Sequence, residues 1–270
     1  MIALADPPVA APVPKPRTLA ELTETVSASR LSTWQRCRLL FFFRYVAGIV
    51  KPPSAALHVG STVHSVLQQW NLARWRRTAL DPEALRAVFD QAWLVQEGID
   101  WEEGEDAARQ SAWAVLETYF RYTPIPADEK PEGVEVSVEA DLASHGLPRL
   151  IGVLDLVRAG GRIVDFKTSA RSPDPGMVAH THETQTTAYS VLYREATGKW
   201  ESGIELHHLI KTKVPKLVVT ELGAAGEDQI TRLFRVMEDY VDGLEGERFV
   251  PSPGLQCSSC EFLNECRRWR

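Results

Sequence analysis

Long apolar runs are missing from this 270-residue chain. The longest, in CRLLFFFRYVAGIV, is broken by Arg44 and Gly48. That falls short of the roughly 20 apolar residues a membrane-spanning helix needs. Positive charge is also in deficit, with 30 Lys and Arg against 36 Asp and Glu and a net charge of −6. Any nucleic-acid contact must therefore come from a local basic groove, not from the overall field. The first stretch, MIALADPPVAAPVPKPR, holds five prolines and an early Asp6 but no apolar signal core. It reads as an extended, disordered tail over residues 1–28, not a targeting segment, so the expected location is cytoplasmic. Cysteine is scarce, four in all. In that compartment a thiol cluster points to metal or redox chemistry, not to a disulfide framework.

What is present is a chain with two periods. A hydrophobic content of 44% supports a real core. SASRLSTWQRCRLLFFFRYV offers Ser/Thr caps and an apolar helix. HVGSTVHSVLQQWNLARW spaces Val59, Val63, Val66, Leu67 and Trp70 along one helical face. Asp81-Pro82 reads as an N-cap followed by proline in the first turn, and a further helix is expected over 106–122. The period then changes to two: in VEVSVEADL, Val134, Val136 and Val138 alternate with Glu135, Ser137 and Glu139. RLIGVLDLV and GRIVDFKTS follow as strands joined by Ala159-Gly160-Gly161, a hairpin signal. HETQTTAYSVLYREATGK is a helix ending at Gly198. GIELHHLIKTK and KLVVTEL form a second strand pair, and EDQITRLFRVMEDYVDGL is a last long helix before the terminal cysteines. The expected organisation is one domain over 29–270. Its helical part covers about 29–125, an α/β core about 130–222, and a helix with the cysteine segment about 225–270.

Chemistry concentrates in the strands. Asp165 and Lys167 share one face of VDFKTS, while Val164 and Phe166 share the other. Alone, such a pair is usually a surface ion pair. Asp155, however, sits inside the apolar run LIGVLDLV, where a carboxylate is costly unless paired or metal-bound. If the two strands pair through the turn, Asp155 and Asp165 come close, and a divalent cation such as Mg²⁺ or Mn²⁺ would relieve their repulsion. The alternative is a solvated Asp155 at a strand end. His64, on an apolar helix, is either a core histidine or an imidazole ligand to the same ion. Gln185 and Tyr189 share a helical face, either as ordinary surface or as phosphate-binding groups. Basic-aromatic pairs in LARWRR (Arg74–Arg77) and CRRWR (Arg267–Arg270) are candidates for single-strand contacts or are solvated surface. AHTHE (His180–Glu183) either caps a helix or lines the site.

Taken together, G-x-x-x-H at Gly60–His64, G-x-x-D at Gly152–Asp155, D-x-K at Asp165–Lys167 and Q-x-x-x-Y at Gln185–Tyr189 resemble the PD-(D/E)XK nucleases of the RecB-like group. That group includes the RecB and AddB nuclease domains and a CRISPR-associated adaptation nuclease. The resemblance implies a restriction-endonuclease-like α/β core, a mixed sheet flanked by helices, with an N-terminal helical insertion. It implies that His64, Asp155, Asp165 and the Phe166 carbonyl bind Mn²⁺ or Mg²⁺, and that Lys167 acts on the attacking water and phosphate. It assigns Gln185 and Tyr189 to holding DNA, and a further catalytic glutamate to Glu135, with Glu139 as second choice. It also implies a 4Fe-4S cluster on Cys37, Cys257, Cys260 and Cys266. A zinc site is the alternative, although only one short cysteine pair is present. The expected activity is metal-dependent DNA hydrolysis, as an exonuclease on single-stranded or end-exposed DNA in repair, recombination or processing. A helicase or other DNA-processing partner would supply any unwinding. The rival reading is a catalytically silent DNA-binding scaffold; an RNA-directed nuclease is a third.

Overall fold

The computed structural model describes residues 16–78, 80–94, 98–101 and 104–270. Its centre is the expected hairpin. β3 (Arg149–Arg158) and β4 (Arg162–Ser169) are joined through Gly160 and Gly161, whose φ of 79° and 72° lie in the left-handed region that glycine tolerates. The two strands pair antiparallel only at the rungs Arg158–Arg162, Val157–Ile163 and Leu156–Val164. Beyond these they part. β4 continues in parallel against β5 (Gly203–Ile210), which carries β6 (Lys216–Leu222) antiparallel on its outer edge. β3 instead runs antiparallel to β2 (Gly133–Ala140) along one edge and takes β1 (Thr25–Ser27) in parallel at the start of the other. The product is a six-stranded mixed sheet. It forks between β3 and β4 at the rung where Asp155 would face Asp165. Behind the fork, Arg158 pins the closed end by bonding Glu129 and Glu205 at 2.8 Å each.

Helices cover both faces. On one side α1 (Leu19–Glu24), α2 (Ala28–Arg36), α7 (Val178–Thr197) and α8 (Glu227–Glu245) pack over Leu150, Leu154, Ile163 and Ile204. On the other, α4 (Ala55–Arg76), α5 (Pro82–Ala92) and α6 (Glu105–Tyr122) bury Leu156, Val164 and Phe166. The Asp81-Pro82 start is as expected: Asp81 Oδ1 accepts the Ala84 N–H at 2.7 Å.

Three expectations are corrected. Residues 19–27, read as part of a disordered tail, form α1 and β1. A capping box between Thr18 and Glu21 starts the helix, and β1 escapes notice because it is three residues long. Residues 1–15 lie outside the described residues. The helix through Cys37 is not continuous: Cys37 is extended (φ −171°), and α3 (Arg38–Phe41) restarts behind it and runs into a π-turn over Phe42–Val46. Finally, β2 does not alternate evenly. Val134 packs on the α4 side with Leu156, whereas Val138 packs on the α7 side with Leu154. The faces exchange at Glu135, whose φ of 49° is left-handed. Glu135 lies opposite Asp155, so both strands turn at the rung that bears the two acids.

Candidate active site at the sheet fork

Where β3 and β4 separate, the Phe166 N–H loses its ladder partner. Asp155 Oδ2 replaces it, accepting that N–H at 3.0 Å. α4 crosses close above: a Cβ on Gly60 would stand 3.3 Å from Thr168 Oγ1, and one turn later the helix delivers His64. Its Nε2 lies 2.9 Å from the Phe166 carbonyl and its Nδ1 3.5 Å from Asp155 Oδ2. A carbonyl only accepts, so Nε2 carries a proton, and Nδ1 is the ring nitrogen turned toward Asp155. Glu135 completes the group. Each of His64, Glu135 and Asp155 offers one ligand atom within 4.8 Å of the others. Burial, reinforced by Asp155, pushes the Glu135 carboxyl up to about 8. Burial also raises Asp155 to about 6, against the pull of His64. Two carboxyls raised side by side, with an imidazole nitrogen facing them, mark a place where a cation would repair the electrostatics.

Asp165 belongs to an adjoining network and is only 2% exposed. Its Oδ1 accepts from the Tyr189 hydroxyl at 3.0 Å and from Gln185 Nε2 at 3.1 Å. Lys167 Nζ stands 2.7 Å from Asp165 Oδ2 and donates to Gln185 Oε1 at 2.8 Å. The Lys167 ammonium is thus the charge partner of the buried Asp165 Oδ2. Burial and then Asp165 hold the Tyr189 phenol well above its ordinary pKa, so it stays a donor. The structure thus brings every strand and helix residue of the four motifs to one place. It turns Gln185 and Tyr189 toward Asp165 and Lys167. Glu139 is outside the ligand group, at the border of the neighbouring cleft; its carboxylate lies 3.6 Å from Arg149 and is largely exposed. A cleft of about 680 Å³ opens beside Asp155, Gln185 and Tyr189, bordered by Ser27, Ser137 and Gly152.

The donor set fits a hard divalent ion. It comprises the Glu135 and Asp155 carboxylates, the His64 imidazole and the nearby Phe166 carbonyl, with the buried Asp165 carboxylate adjoining. The four thiols also converge. Cys37, Cys257, Cys260 and Cys266 line one cavity with Leu39 and Phe43. The Cys266 thiol is raised by burial and by the charges of the other three, and the Ser252 N–H donates to Cys37 Sγ at 3.4 Å.

Other candidates divide. Arg74 is used internally, donating to the Pro126 carbonyl at 2.6 Å, while Trp269 and its arginines remain at the surface. The His182 ring of AHTHE lies 5.8 Å from that of His208 on β5; Glu183 instead pairs with Arg232 at 2.6 Å. Sequence reading missed His208. It is 4% exposed, pairs in register with Lys167, and has an unpartnered Nδ1. Its signal was the polar pair His207-His208 inside an apolar strand.

With this geometry in hand, the sequence profile of the PD-(D/E)XK nuclease superfamily matches residues 25–267, and the chain belongs to that superfamily. Its fold is similar to the crystal structure of a candidate exonuclease from Eubacterium rectale, with a TM-score of 0.59 and 15% identity over 94% of this chain and 91% of that one. The crystal structure of SSO0001 is a weaker match, with a TM-score of 0.38 and 15% identity over 81% of this chain and 88% of that one. No curated protein matches the sequence.

Proposed function

We propose that the chain is a divalent-metal-dependent deoxyribonuclease of the RecB-like group, acting as an exonuclease on single-stranded or end-exposed DNA. The observation that carries this reading is the fork itself. His64, Glu135 and Asp155 meet within 4.8 Å, and the Asp165–Lys167 pair adjoins them. His64, Glu135, Asp155 and Asp165 would hold Mn²⁺ or Mg²⁺; the Phe166 carbonyl joins only if His64 Nε2–H releases it. The ion, when bound, supplies Lewis-acid stabilisation of a phosphate oxygen and a water of lowered pKa. Lys167 offsets negative charge growing on the phosphate from a position fixed beforehand. Gln185 and Tyr189 hold the Asp165 carboxylate and the Lys167 ammonium in place, and the partly exposed edge of Gln185 meets the strand in the cleft.

The four cysteines would hold a 4Fe-4S cluster with a mainly structural role. Their common cavity, the N–H bond to Cys37 and a single short cysteine pair, where zinc sites usually show two, support that choice over zinc. The test uses protein purified without oxygen. DNA and RNA oligonucleotides of matched sequence, single-stranded and duplex and labelled at either end, are incubated with Mn²⁺, Mg²⁺ or EDTA. Cleavage of DNA that needs the metal and shortens from one end is the expected result. Preference for RNA, or cleavage undiminished in EDTA, would overturn it.

A further inference from the structure

The turn between β5 and β6 reads Lys211-Thr212-Lys213-Val214-Pro215-Lys216: three lysines, no acid, in a protein of net charge −6. The fold sets this turn beside the reaction centre. β5 runs parallel to β4, with His208 opposite Lys167 and Ile210 opposite Ser169, and the Lys211 N–H donates to the Ser169 carbonyl at 2.8 Å. Ser169 lies two residues beyond Lys167, roughly 7 Å along the strand. The tip is also held in shape: Thr212 Oγ1 donates to the Val214 carbonyl at 2.6 Å. None of the three lysines has an ion-pair partner within 4.0 Å among the described residues, although ion pairs are common elsewhere on the molecule. Lys211 is half-buried, and burial, with no acid to offset it, lowers its ammonium below the ordinary value. Val214 projects at 71% exposure. An isolated, desolvated cation flanked by two exposed ones, with an apolar tip between them, lacks a polyanionic partner.

We propose that Lys211, Lys213 and Lys216 form a strip that docks the phosphate backbone of a single nucleic-acid strand just beyond the scissile phosphate, with Val214 lying against a sugar or base. This rests on the nuclease reading of the fork and deepens it. The strip gives an acidic protein the local basic surface that strand binding requires.

The test compares wild type with the triple variant Lys211→Ala/Lys213→Ala/Lys216→Ala. A second variant, Lys213→Ala/Lys216→Ala, changes only exposed side chains and guards against misfolding. Binding of a fluorescein-labelled 20-mer single strand is followed by anisotropy in EDTA over a range of KCl concentrations. Hydrolysis of bis(p-nitrophenyl) phosphate with Mn²⁺ is measured alongside, because that ester ends at the reacting phosphate. Each lysine should contribute about 0.7 to the slope of log affinity against log salt. The slope should therefore fall by about 2 in the triple variant and about 1.4 in the double, with ester hydrolysis unchanged. Wild-type affinity and slope in both variants would overturn the proposal. So would equal displacement of the 20-mer by polyglutamate, which would make the strip a site for acidic protein. A wild type that binds the strand with the predicted slopes but never hydrolyses the ester would overturn the nuclease reading and leave the strip standing.

Discussion

At the scale of single residues, Glu135 is the most informative position. It takes a left-handed backbone that costs a non-glycine residue on the order of 1–3 kcal/mol, and it sets a raised carboxyl beside Asp155. Strain and repulsion in one residue make sense if a cation compensates them. The sign of the pH effect follows. Between about pH 6.5 and 8 an unfolded Glu135 has lost its proton, whereas the folded one, raised to about 8, keeps it. The unfolded state then binds fewer protons, so metal-free protein loses stability as pH rises. Thermal melts in EDTA should show Tm falling over that window for wild type and a flatter profile for Glu135→Gln; parallel profiles would refute the assignment. Asp155 was legible in the sequence as an acid inside an apolar run, whereas Asp165, Lys167 and His64, each ordinary alone, became legible only through the order of the four motifs. Glu135 was legible only as one of two choices, since nothing in VEVSVEADL announces a reversal of faces. His208 showed only as half of a polar pair in an apolar strand; its place opposite Lys167 depends on a parallel pairing with β4 that no local pattern encodes.

At the scale of elements, the broken helix at Cys37 and the C-terminal segment form one unit. Lys51 pairs with Glu265 at 2.6 Å, Arg44 pairs with Glu261, and the Leu39 N–H donates to the Val250 carbonyl at 3.1 Å. Phe43 and Phe262 pack between them, with α9 (Leu263–Arg268) closing the end. Loss of the proposed cluster by Cys260→Ala should therefore release hydrogen-exchange protection in 36–51 and 250–268 together, while β3, β4 and β5 stay protected. Release in only one of the two segments would show that the thiols do not join them. A second contact fixes α8 on α2. A Cβ at Gly243 would fall inside the buried Trp34 indole, whose Nε1 donates to Asp239 at 2.9 Å. Gly243→Ala should cost about 1–3 kcal/mol through overpacking, measured by urea unfolding. Helices α4 to α8, the two hairpins and the Asp81 cap were readable from periodicity and turn chemistry. α1, β1 and the split at Cys37 were not, because a six-residue helix and a three-residue strand are too short to show a period and nothing in the local pattern marks the break.

At the scale of the whole molecule, an acidic chain gathers its reactive groups where a sheet fails to close. The fork exists because β3 gives one end of an edge to β4 and the other to β1, leaving a backbone N–H for Asp155 to satisfy. Helices from both faces then deliver His64 from one side and Gln185 with Tyr189 from the other. The cysteine unit ties the Cys37 region to the Cys257–Cys266 segment outside the fork, so the proposed cluster and the candidate reaction centre are separate structures. If the thiols hold iron as proposed, Lys167→Ala should retain the iron content of wild type while losing cleavage.

The most direct measurement is the cleavage rate of end-labelled single-stranded DNA at saturating Mn²⁺ for wild type, Asp155→Asn and Lys167→Ala, with bound Mn²⁺ counted by EPR in the same samples. The account predicts that Asp155→Asn loses both the ion and the activity. It predicts that Lys167→Ala keeps the ion and loses about 10²–10³-fold in rate, as removal of a preorganised charge-stabilising group does. Wild-type cleavage by either variant, or Mn²⁺ bound undiminished by Asp155→Asn, would contradict the account.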